Sequence, residues 1–536
     1  MTQQNVLHAI QDFTNALGID NVTISREQCN KFENTTFATN QKVQGVLYPN
    51  SKEQVQQCIN IAYQYNIKLY PLSTGLNIGL GGTVPVESNS FILNLGKMNQ
   101  IIEFNESLGY ITIESGVTQI QVVEFLKSKN SNFILSPTGS LPETSIIGNA
   151  VERGDTRGAI PQRAESICNL GVVLPSGEYM EIGFGRFANA KCSGISKYGV
   201  GPDYTGLFTQ SNFGIVVKLT LWLAPKAVNC DIILFTMETN EQLKNSIDLL
   251  HRLRIYNLFH CVDFFNDYKF LTVSQQYPWE HKDNHVDLES FILEWRKKRR
   301  IGRWNGIITI HSLSSNHNKF IVSTIIKSLK PYVEEIICTS SLKFKITSLF
   351  RKPIEYMLGI DLSLLDDLRE TKFAQGIPSS FAFKSLYWRK KIPIPQNYTP
   401  VEDKCGVLWL AIAVPFTSQN ILFCIEEIKK ILKLYEFEPN ISLLGISDRM
   451  ITITVCIIYD QEISEENAKA KACHDQILEV MSNNGYYPNR LGIQSMQSIP
   501  TSSCFYDGFM KKIKQFIDPK DIIAPGRYDN RHNWPN

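Results

Sequence analysis

The sequence predicts a two-domain α+β protein, and three observations support this fold class. The chain has 536 residues, which is more than a single domain usually contains. Up to Pro225, strand and helix signals alternate with glycine-rich loops, whereas longer amphipathic helices alternate with strands after it. We therefore expect a second α+β domain over residues 226–489. Residues 518–526 return to a pattern rich in Pro and Gly, and we expect them to pack on the first domain.

The first part of the chain contains short apolar runs typical of strands. A capping box, Ser51-x-x-Gln54, predicts the start of a helix that places Val55, Cys58 and Ile59 on one face. Another helix is expected around 120–126, and a hairpin around 175–178. The strands predicted here are 43–48, 68–72, 91–95, 110–114, 132–136 and 213–223.

In the second part, the apolar residues follow the helical period over longer stretches. The helices predicted here are 241–256, 319–329, 420–434 and 465–481. The strands predicted between them are 306–311, 407–414 and 450–459. Such a pattern predicts a sheet backed by helices.

Composition excludes several classes of partner. Hydrophobic residues make up 43% and charged residues 20%, as in soluble globular proteins, and the formal net charge is only +2. This charge indicates neither a nucleic acid nor a membrane surface as a partner, so we expect small molecules. The start of the chain lacks a secretory pattern, and the 12 cysteines form no C-x-x-C pair. We expect a cytoplasmic protein without a metal site.

A loop with four glycines follows the predicted strand 68–72. Its sequence over 73–82 is Ser-Thr-Gly-Leu-Asn-Ile-Gly-Leu-Gly-Gly. Glycines permit positive φ, and successive backbone amides can then bind a phosphate. The loop lacks both the lysine of a P-loop and the spacing of a doubly wound dinucleotide motif. Taken alone, it is equally well explained as a tight structural turn.

Two further segments have the same character. Residues 137–154 and 206–216 are rich in small residues and turns, and both adjoin apolar strands. Three such loops together favour an extended, flat, phosphorylated cofactor over three unrelated turns.

At these positions the chain resembles the vanillyl-alcohol oxidase and p-cresol methylhydroxylase family of FAD-linked flavoproteins. The motifs that carry the resemblance recur in order along nearly the whole chain: 71–75, 81–82, 147–154, 206–212, 302–305, 387–391 and 522–526. The resemblance implies the two-domain FAD-binding fold of the vanillyl-alcohol oxidase type. Residues 1–225 and 490–536 would form the FAD-binding domain, and 226–489 an α+β cap domain over the flavin. A homodimer is expected by analogy.

The resemblance also implies roles for individual residues. Positions expected to hold the diphosphate are Ser73, Thr74, Gly75, Leu76, Asn77, Ile78, Gly79 and Gly82. Positions expected along the flavin and its ribityl chain are Pro137, Thr138, Gly139, Ser140, Ser145, Gly148 and Asn149. Ile215 would contact the adenosine portion. Arg527 matches a basic position near the pyrimidine edge of the flavin, where a cation stabilises the reduced ring; the alternative is an exposed tail residue.

The chain departs from the family at positions that bind substrate and tether the cofactor. Leu80 and Asn489 replace two tyrosines, and Ser140 replaces an aspartate, whereas Arg490 is retained. Without these polar partners, a phenol would not be held as phenolate. Thr452, on the strand that carries a linking histidine in relatives, cannot form a covalent flavin link, so we expect FAD to be bound non-covalently.

The leading hypothesis is an FAD-dependent oxidoreductase that takes a hydride from a C–H bond of a small, non-phenolic molecule, in the setting of secondary-metabolite tailoring. The candidate catalytic residues are Arg490, Asn489 and Glu143, each with a structural alternative. The electron acceptor, oxygen or a redox carrier, is left open. The competing hypothesis is a flavin-binding protein that has lost redox catalysis, acting as a binding module or as a lyase that uses FAD as a scaffold.

Overall fold

A computed structural model of the chain describes residues 3–279, 288–340, 352, 373, 375–500 and 504–533. The helices are α1 Gln3–Leu17, α2 Arg26–Lys31, α3 Lys52–Tyr65, α4 Gln119–Ser128, α5 Ile146–Val151, α6 Asn240–Ile255, α7 Asp267–Ser274, α8 Leu288–Arg299, α9 Ser315–Leu329, α10 Ser418–Leu434, α11 Ser464–Asn483 and α12 Cys504–Ile517. Within these residues, no helix combines the length and the apolar character needed to cross a membrane.

The strands form three larger sheets and one short pair. In chain order they are β1 Val22–Thr23, β2 Val43–Leu47, β3 Leu69–Leu72, β4 Ser90–Asn94, β5 Ile101–Asn105, β6 Tyr110–Glu114, β7 Phe133–Ile134, β8 Ile167–Val173, β9 Tyr179–Glu181, β10 Ile215–Trp222, β11 Ala224–Pro225, β12 Asn229–Met237, β13 Cys261–Asn266, β14 Trp304–Ser312, β15 Glu335–Ser340, β16 Cys405–Pro415, β17 Ile441–Gly445, β18 Met450–Asp460 and β19 Pro488–Arg490.

Two of the larger sheets are built from the first part of the chain. A four-stranded sheet has the order β1-β2-β4-β3, with β2 and β3 parallel to β4 between them. A five-stranded antiparallel sheet has the order β5-β6-β10-β8-β9. As predicted, the C-terminal segment returns to this part. Ile523 forms a bridge with Leu69, and Ile522 and Ala524 are buried in the core of the four-stranded sheet.

The third sheet is antiparallel and has eight strands, in the order β15-β12-β14-β13-β17-β18-β16-β19. Along its strands, successive side chains point to opposite faces of the sheet. On β16, Leu408, Leu410 and Ile412 are buried in the core formed with the backing helices, while Trp409 and Ala411 point to the opposite face. This opposite face of the sheet is the one that meets the loops of the first part.

The predicted helices of the second part are confirmed to within a few residues, as are its three predicted strands. Strands β12, β13, β15, β17 and β19 were missed, because a short apolar run without a clear period does not distinguish a strand from a helix, and helices α7 and α8 were missed as well. The predicted strand 132–136 was too long, since only Phe133–Ile134 pairs, with Ala224–Pro225. We propose the domain boundaries given above, with the one at 489 falling inside β19.

Candidate active site

One large cavity lies between the first part of the chain and the open face of the eight-stranded sheet. Its volume is about 420 Å³, which is within the usual range for a ligand site. The loop 73–78, the start of α5 and the segment 152–157 form one side. Residues of β13, β16, β17, β18 and β19 form the other. Both predicted parts of the protein therefore contribute to a single site.

The glycine-rich loop presents unused backbone amides to this cavity. The N–H groups of Gly75, Leu76, Asn77 and Ile78 donate to no acceptor in the described chain. Gly75 has φ 72° and Gly79 has φ 76°, a conformation that favours glycine. A row of free amides at the wall of a cavity is suited to a diphosphate. The residues present therefore fit the phosphate part of FAD.

The start of α5 is tied to this loop by one serine. Ser145 caps the helix, because its hydroxyl accepts a hydrogen bond from the Gly148 N–H at 3.0 Å. The same hydroxyl donates to the Ser115 carbonyl at 2.7 Å. Its backbone N–H donates to the Thr74 hydroxyl at 3.1 Å. These bonds hold the second predicted cofactor segment beside the first.

Five residues in register across five strands form the roof of the cavity. Phe265 is paired with Ser442, Ser442 with Thr454, Thr454 with Ala411, and Ala411 with Arg490. All five line the cavity. The three central side chains are small, so the sheet leaves space between the aromatic ring at one end and the guanidinium at the other.

Arg490 and Asn489, two of the predicted catalytic residues, lie at this wall. Arg490 Nη2 donates to the side chain of Asn77 at 2.7 Å, which connects the roof to the glycine-rich loop. Asn489 Nδ2 donates to the hydroxyl of Thr452 at 3.1 Å. The Oδ1 atom of Asn489 and the Nε atom of Arg490 are buried and have no hydrogen-bond partner. The Nε atom of Arg490 nevertheless forms an ion pair with Glu152 at 3.6 Å, so of these two atoms only Oδ1 of Asn489 lacks a partner among the described residues.

Arg527 also lines the cavity, and the alternative of an exposed tail residue is wrong. It forms an ion pair with Glu152, in which each side chain is 12% exposed. It also donates to the Tyr70 hydroxyl at 2.7 Å. Burial acts to raise the pKa of Glu152, but Arg527 and Arg490 lower it overall. Glu152 is therefore a paired carboxylate.

A second carboxyl at the wall has no such pairing. Asp155 lines the cavity, and its buried Oδ1 atom accepts no hydrogen bond from the described residues. Burial raises the pKa of Asp155 to about 6, and Asp263 adds to this increase, whereas Arg157 and Arg490 oppose it. A carboxyl that titrates near neutral pH in a cavity is a candidate acid or base.

Lys269, on α7, brings a cation to the cap side of the cavity. No hydrogen bond or ion pair of its ammonium is formed with the described residues. Burial lowers the pKa of Lys269, and Arg157 lowers it further. Arg157 is itself paired with Asp263, with Nη1 and the carboxylate 3.2 Å apart.

The structure brings together most of the residues predicted from sequence. Those that line the cavity are Ser73, Thr74, Gly75, Leu76, Asn77, Ile78, Gly82, Thr138, Gly139, Ser140, Ser145, Gly148, Asn149, Ile215, Asn489, Arg490 and Arg527. Gly79 and Pro137 belong to the same loops without lining it, and Glu143 is exposed to solvent. The roles of all these residues remain predictions.

Sequence reasoning missed Asp155, Arg157 and Lys269. The first two lie just beyond the motif 147–154, and a search extended by three residues would have included them. Lys269 lies in a stretch where no motif was seen, so no sequence signal indicated it.

The cavity contains little that could tether a flavin covalently. Among its described residues there is no histidine or cysteine, and the one tyrosine, Tyr70, accepts the hydrogen bond from Arg527. Thr452 and Ile453, on the strand that the resemblance matches to a histidine-bearing one, are fully buried, and the Thr452 hydroxyl accepts a hydrogen bond from Asn489.

Comparison with known proteins agrees with this architecture. Residues 43–183 match the model of an FAD binding domain. The chain is 36% identical to 1'-carboxy-chondrochloren decarboxylase of Chondromyces crocatus, over 100% of this chain and 99% of that protein. It is 25% identical to the 4-cresol dehydrogenase [hydroxylating] flavoprotein subunit of Pseudomonas putida, over 98% and 96%. The crystal structure of p-cresol methylhydroxylase with substrate bound superposes with a TM-score of 0.87 at 22% identity, covering 99% of this chain and 98% of that one.

The fold and the site define an FAD-dependent enzyme with an FAD-binding domain and an α+β cap domain. The loop with free amides, the cavity below the cap sheet and the relatives that match along nearly their whole length agree on this class. The chain belongs to the vanillyl-alcohol oxidase and p-cresol methylhydroxylase family of FAD-linked oxidoreductases.

Proposed function

We propose that this protein takes a hydride from a C–H bond of a small, non-phenolic carboxylic acid and releases the carboxyl group as CO₂. When bound, FAD supplies the hydride acceptor. The cations of the cavity support a carboxylate substrate. Release of CO₂ is supported by the 36% identical relative, which is a decarboxylase by name and matches along the whole chain.

The ammonium of Lys269 is the observation that carries the proposal. A desolvated cation without a counter-ion costs free energy, which a bound anion recovers. Among the described lining residues, five are Lys or Arg and two are Asp or Glu, so the cavity favours an anionic ligand. The free amides that suit the diphosphate belong to the loop 73–78, whereas Lys269 belongs to the cap. We therefore assign Lys269 to the substrate carboxylate.

The rest of the wall supports a substrate other than a phenol. Leu80 and Asn489 stand where phenol-oxidising relatives have tyrosines, and Leu80 offers no hydrogen bond. Arg490 already donates to Asn77, and its Nε atom lies 3.6 Å from Glu152. These groups orient a ligand, but they do not provide the set of donors that would hold a phenolate.

The small roof residues Ser442, Thr454 and Ala411 leave space for the carbon that loses the hydride. Phe265 at one end of this row and Arg490 at the other limit how far the substrate can move. Holding the reacting carbon in one place lowers the entropy cost of the reaction. Burial of Lys269 also strengthens its interaction with a carboxylate, because the surroundings screen the charges less than water does.

We further propose that FAD is held non-covalently by the loop amides and by Arg527. An oxidised flavin must be regenerated by oxygen or by a redox carrier. Mixing the anaerobically reduced protein with oxygen distinguishes the two: rapid return of the yellow band indicates an oxidase, and slow return indicates a dehydrogenase.

The experiment is anaerobic mixing of the purified holoprotein with three acids labelled in the carboxyl carbon: β-phenylpropionate, β-hydroxy-β-phenylpropionate and N-acetylphenylalanine. The corresponding carboxamides are the matched controls. We expect at least one acid to bleach the flavin band and to release labelled CO₂, and its amide to do neither. Bleaching without labelled CO₂ contradicts the decarboxylation.

A flavin that stays yellow with every acid and every amide contradicts the redox proposal as a whole. That result favours the competing hypothesis, a flavin-binding module or a lyase that uses FAD as a scaffold. Bleaching by acid and amide at equal rates contradicts the assignment of Lys269 to the carboxylate but leaves hydride transfer standing.

A further inference from the structure

Of the two described carboxyl groups at the cavity wall, Asp155 is the one that is not paired with a cation in the way that Glu152 is. It follows Gly154 at the end of the segment that begins with α5, and it is one of the residues that line the cavity. Its Oδ1 atom is buried, with no hydrogen-bond partner in the described part of the chain. A buried polar atom normally has a partner, and the residue that carries this one lies at the wall of a ligand cavity, so a ligand is the candidate partner of the carboxyl group.

The charges around Asp155 come from three separate segments. Arg157 lies two residues along the same segment, Arg490 is on β19, and Asp263 is on β13. Arg157 is already paired with Asp263, and Arg490 Nη2 is already bonded to Asn77. The cations therefore stabilise the ionised form of Asp155 only in part, while burial and Asp263 favour the protonated form.

The contrast with Glu152 shows that Asp155 is not simply a structural carboxyl. Glu152 is bonded to Arg527 and accepts from the Tyr528 hydroxyl at 3.1 Å, so its charge is fully matched within the protein. Asp155 has cations near it but no donor on Oδ1. Of these two acids, Asp155 is the one free to exchange a proton with a ligand.

We propose that Asp155 is a catalytic residue that takes the proton of a substrate hydroxyl attached to, or conjugated with, the carbon that loses the hydride. This inference rests on the proposed function and makes it more specific, since it names a hydroxy acid as the substrate. By the resemblance, Ser140 stands where the family has an aspartate. The proposal places the acid of the site in a different segment of the chain. Ser140 accepts a hydrogen bond from the Thr144 hydroxyl at 2.8 Å and carries no carboxylate.

The step balances as follows for a β-hydroxy acid. The O–H bond breaks and its proton moves to the Asp155 carboxylate, while the C–H electron pair leaves as hydride to the oxidised flavin. The oxygen lone pair forms the C=O bond, which gives a β-keto acid. Its C–COO⁻ bond then breaks to release CO₂, and the electron pair forms an enolate. The enolate takes back the proton held by Asp155, which restores the carboxylate.

The probes are β-hydroxy-β-phenylpropionate and its methyl ether, which has no proton to give. With the holoprotein under anaerobic conditions, we expect the ether to bleach the flavin at least about 100-fold more slowly than the hydroxy acid. The rate with the hydroxy acid should rise with pH to a plateau above the pKa of Asp155, which is about 6.

Two variants test Asp155 itself, and a third serves as their control. Asp155→Asn should lower the plateau rate by about 10²–10³ and remove the break on the acid side, with little change in the affinity for the acid. Asp155→Glu should keep the break at reduced rate. Asp20→Asn, an exposed position outside the cavity, is the matched control and should behave as the parent. Equal rates for hydroxy acid and ether, or an unchanged pH profile in Asp155→Asn, would overturn the proposal.

A second readout does not depend on turnover. Infrared difference spectra of the holoprotein, recorded across pH, should show a protonated carboxyl that ionises near pH 6 and is absent from Asp155→Asn. If no acid bleaches the flavin, the proposed function fails. If an acid does bleach it while this carboxyl signal is missing, only the assignment of Asp155 fails.

Discussion

A Cβ atom placed on Gly79 would lie 2.6 Å from Cδ1 of Trp409, so the glycine-rich loop and the cap sheet meet where no side chain fits between them. Gly79 has φ 76°, and its N–H donates to the Thr36 hydroxyl at 3.1 Å. The free amides of Gly75–Ile78 precede this contact in the chain. The packing of one glycine against one indole therefore helps to fix the position of the whole glycine-rich loop.

Gly79→Ala should destabilise the loop for two reasons, the strained φ and the clash with Trp409. We expect a loss of about 1–3 kcal/mol in the free energy of unfolding of the holoprotein, together with weaker FAD binding. Thermal unfolding and flavin content measure the two effects. Gly485→Ala is the matched control, because Gly485 also has a positive φ, 83°, lies outside the cavity, and a Cβ there meets nothing within 4 Å. Equal flavin content in the two variants would contradict the prediction.

Lys269→Met should weaken binding of a carboxylate substrate while leaving its carboxamide unaffected. A charge-assisted hydrogen bond contributes about 1.5–3 kcal/mol, so KM for the acid should rise about 10- to 100-fold. Lys269→Arg, which keeps the charge, should recover part of the loss. Steady-state kinetics with acid and amide make the comparison. A parallel increase in KM for both would indicate a general effect on the cavity.

Asp155→Asn should also change stability with pH. The folded protein holds the Asp155 proton more tightly than the unfolded chain, since its pKa rises from 3.8 to about 6. The corresponding stability is complete below about pH 4 and is lost as the pH rises through about 6. At pH 8 the variant should therefore be more stable than the parent by about 1–3 kcal/mol, with no gain at pH 4. Denaturant titration at both pH values measures this difference.

Arg527→Met should leave the Glu152 carboxylate buried without its main partner. Breaking a buried ion pair on one side costs about 3–5 kcal/mol, so we expect a large fall in Tm and loss of flavin during purification. Adding Glu152→Gln should restore much of the stability, because it removes the unpaired charge. If the double variant regains stability but still lacks flavin, Arg527 contributes to cofactor binding directly.

Acid precipitation tests whether the flavin is bound covalently. We expect the yellow chromophore to appear in the supernatant, since the described lining residues offer no histidine or cysteine and Tyr70 is engaged with Arg527. Pigment that stays in the pellet would show a covalent link. Peptide mapping would then identify the linking residue.

The sequence by itself determined the family and predicted the cofactor loops and many of the helices and strands. The loop 73–82 could be recognised from the sequence because a turn that presents successive backbone amides needs glycines at particular neighbouring positions. Helix α10 and strand β16 were predictable because their buried residues repeat with the helical and the strand period. These signals are local in the chain.

Only the tertiary structure decided which side chains meet at the cavity. Arg490 meets Asn77 across 413 positions of sequence, and Arg157 meets Asp263 across 106. Exposed Glu143 and cavity-lining Asp155 look equally plausible as acids in the sequence, and burial alone separates them. The reason is that charge and proton affinity in a cavity depend on desolvation and on neighbours from distant segments, which no local pattern records.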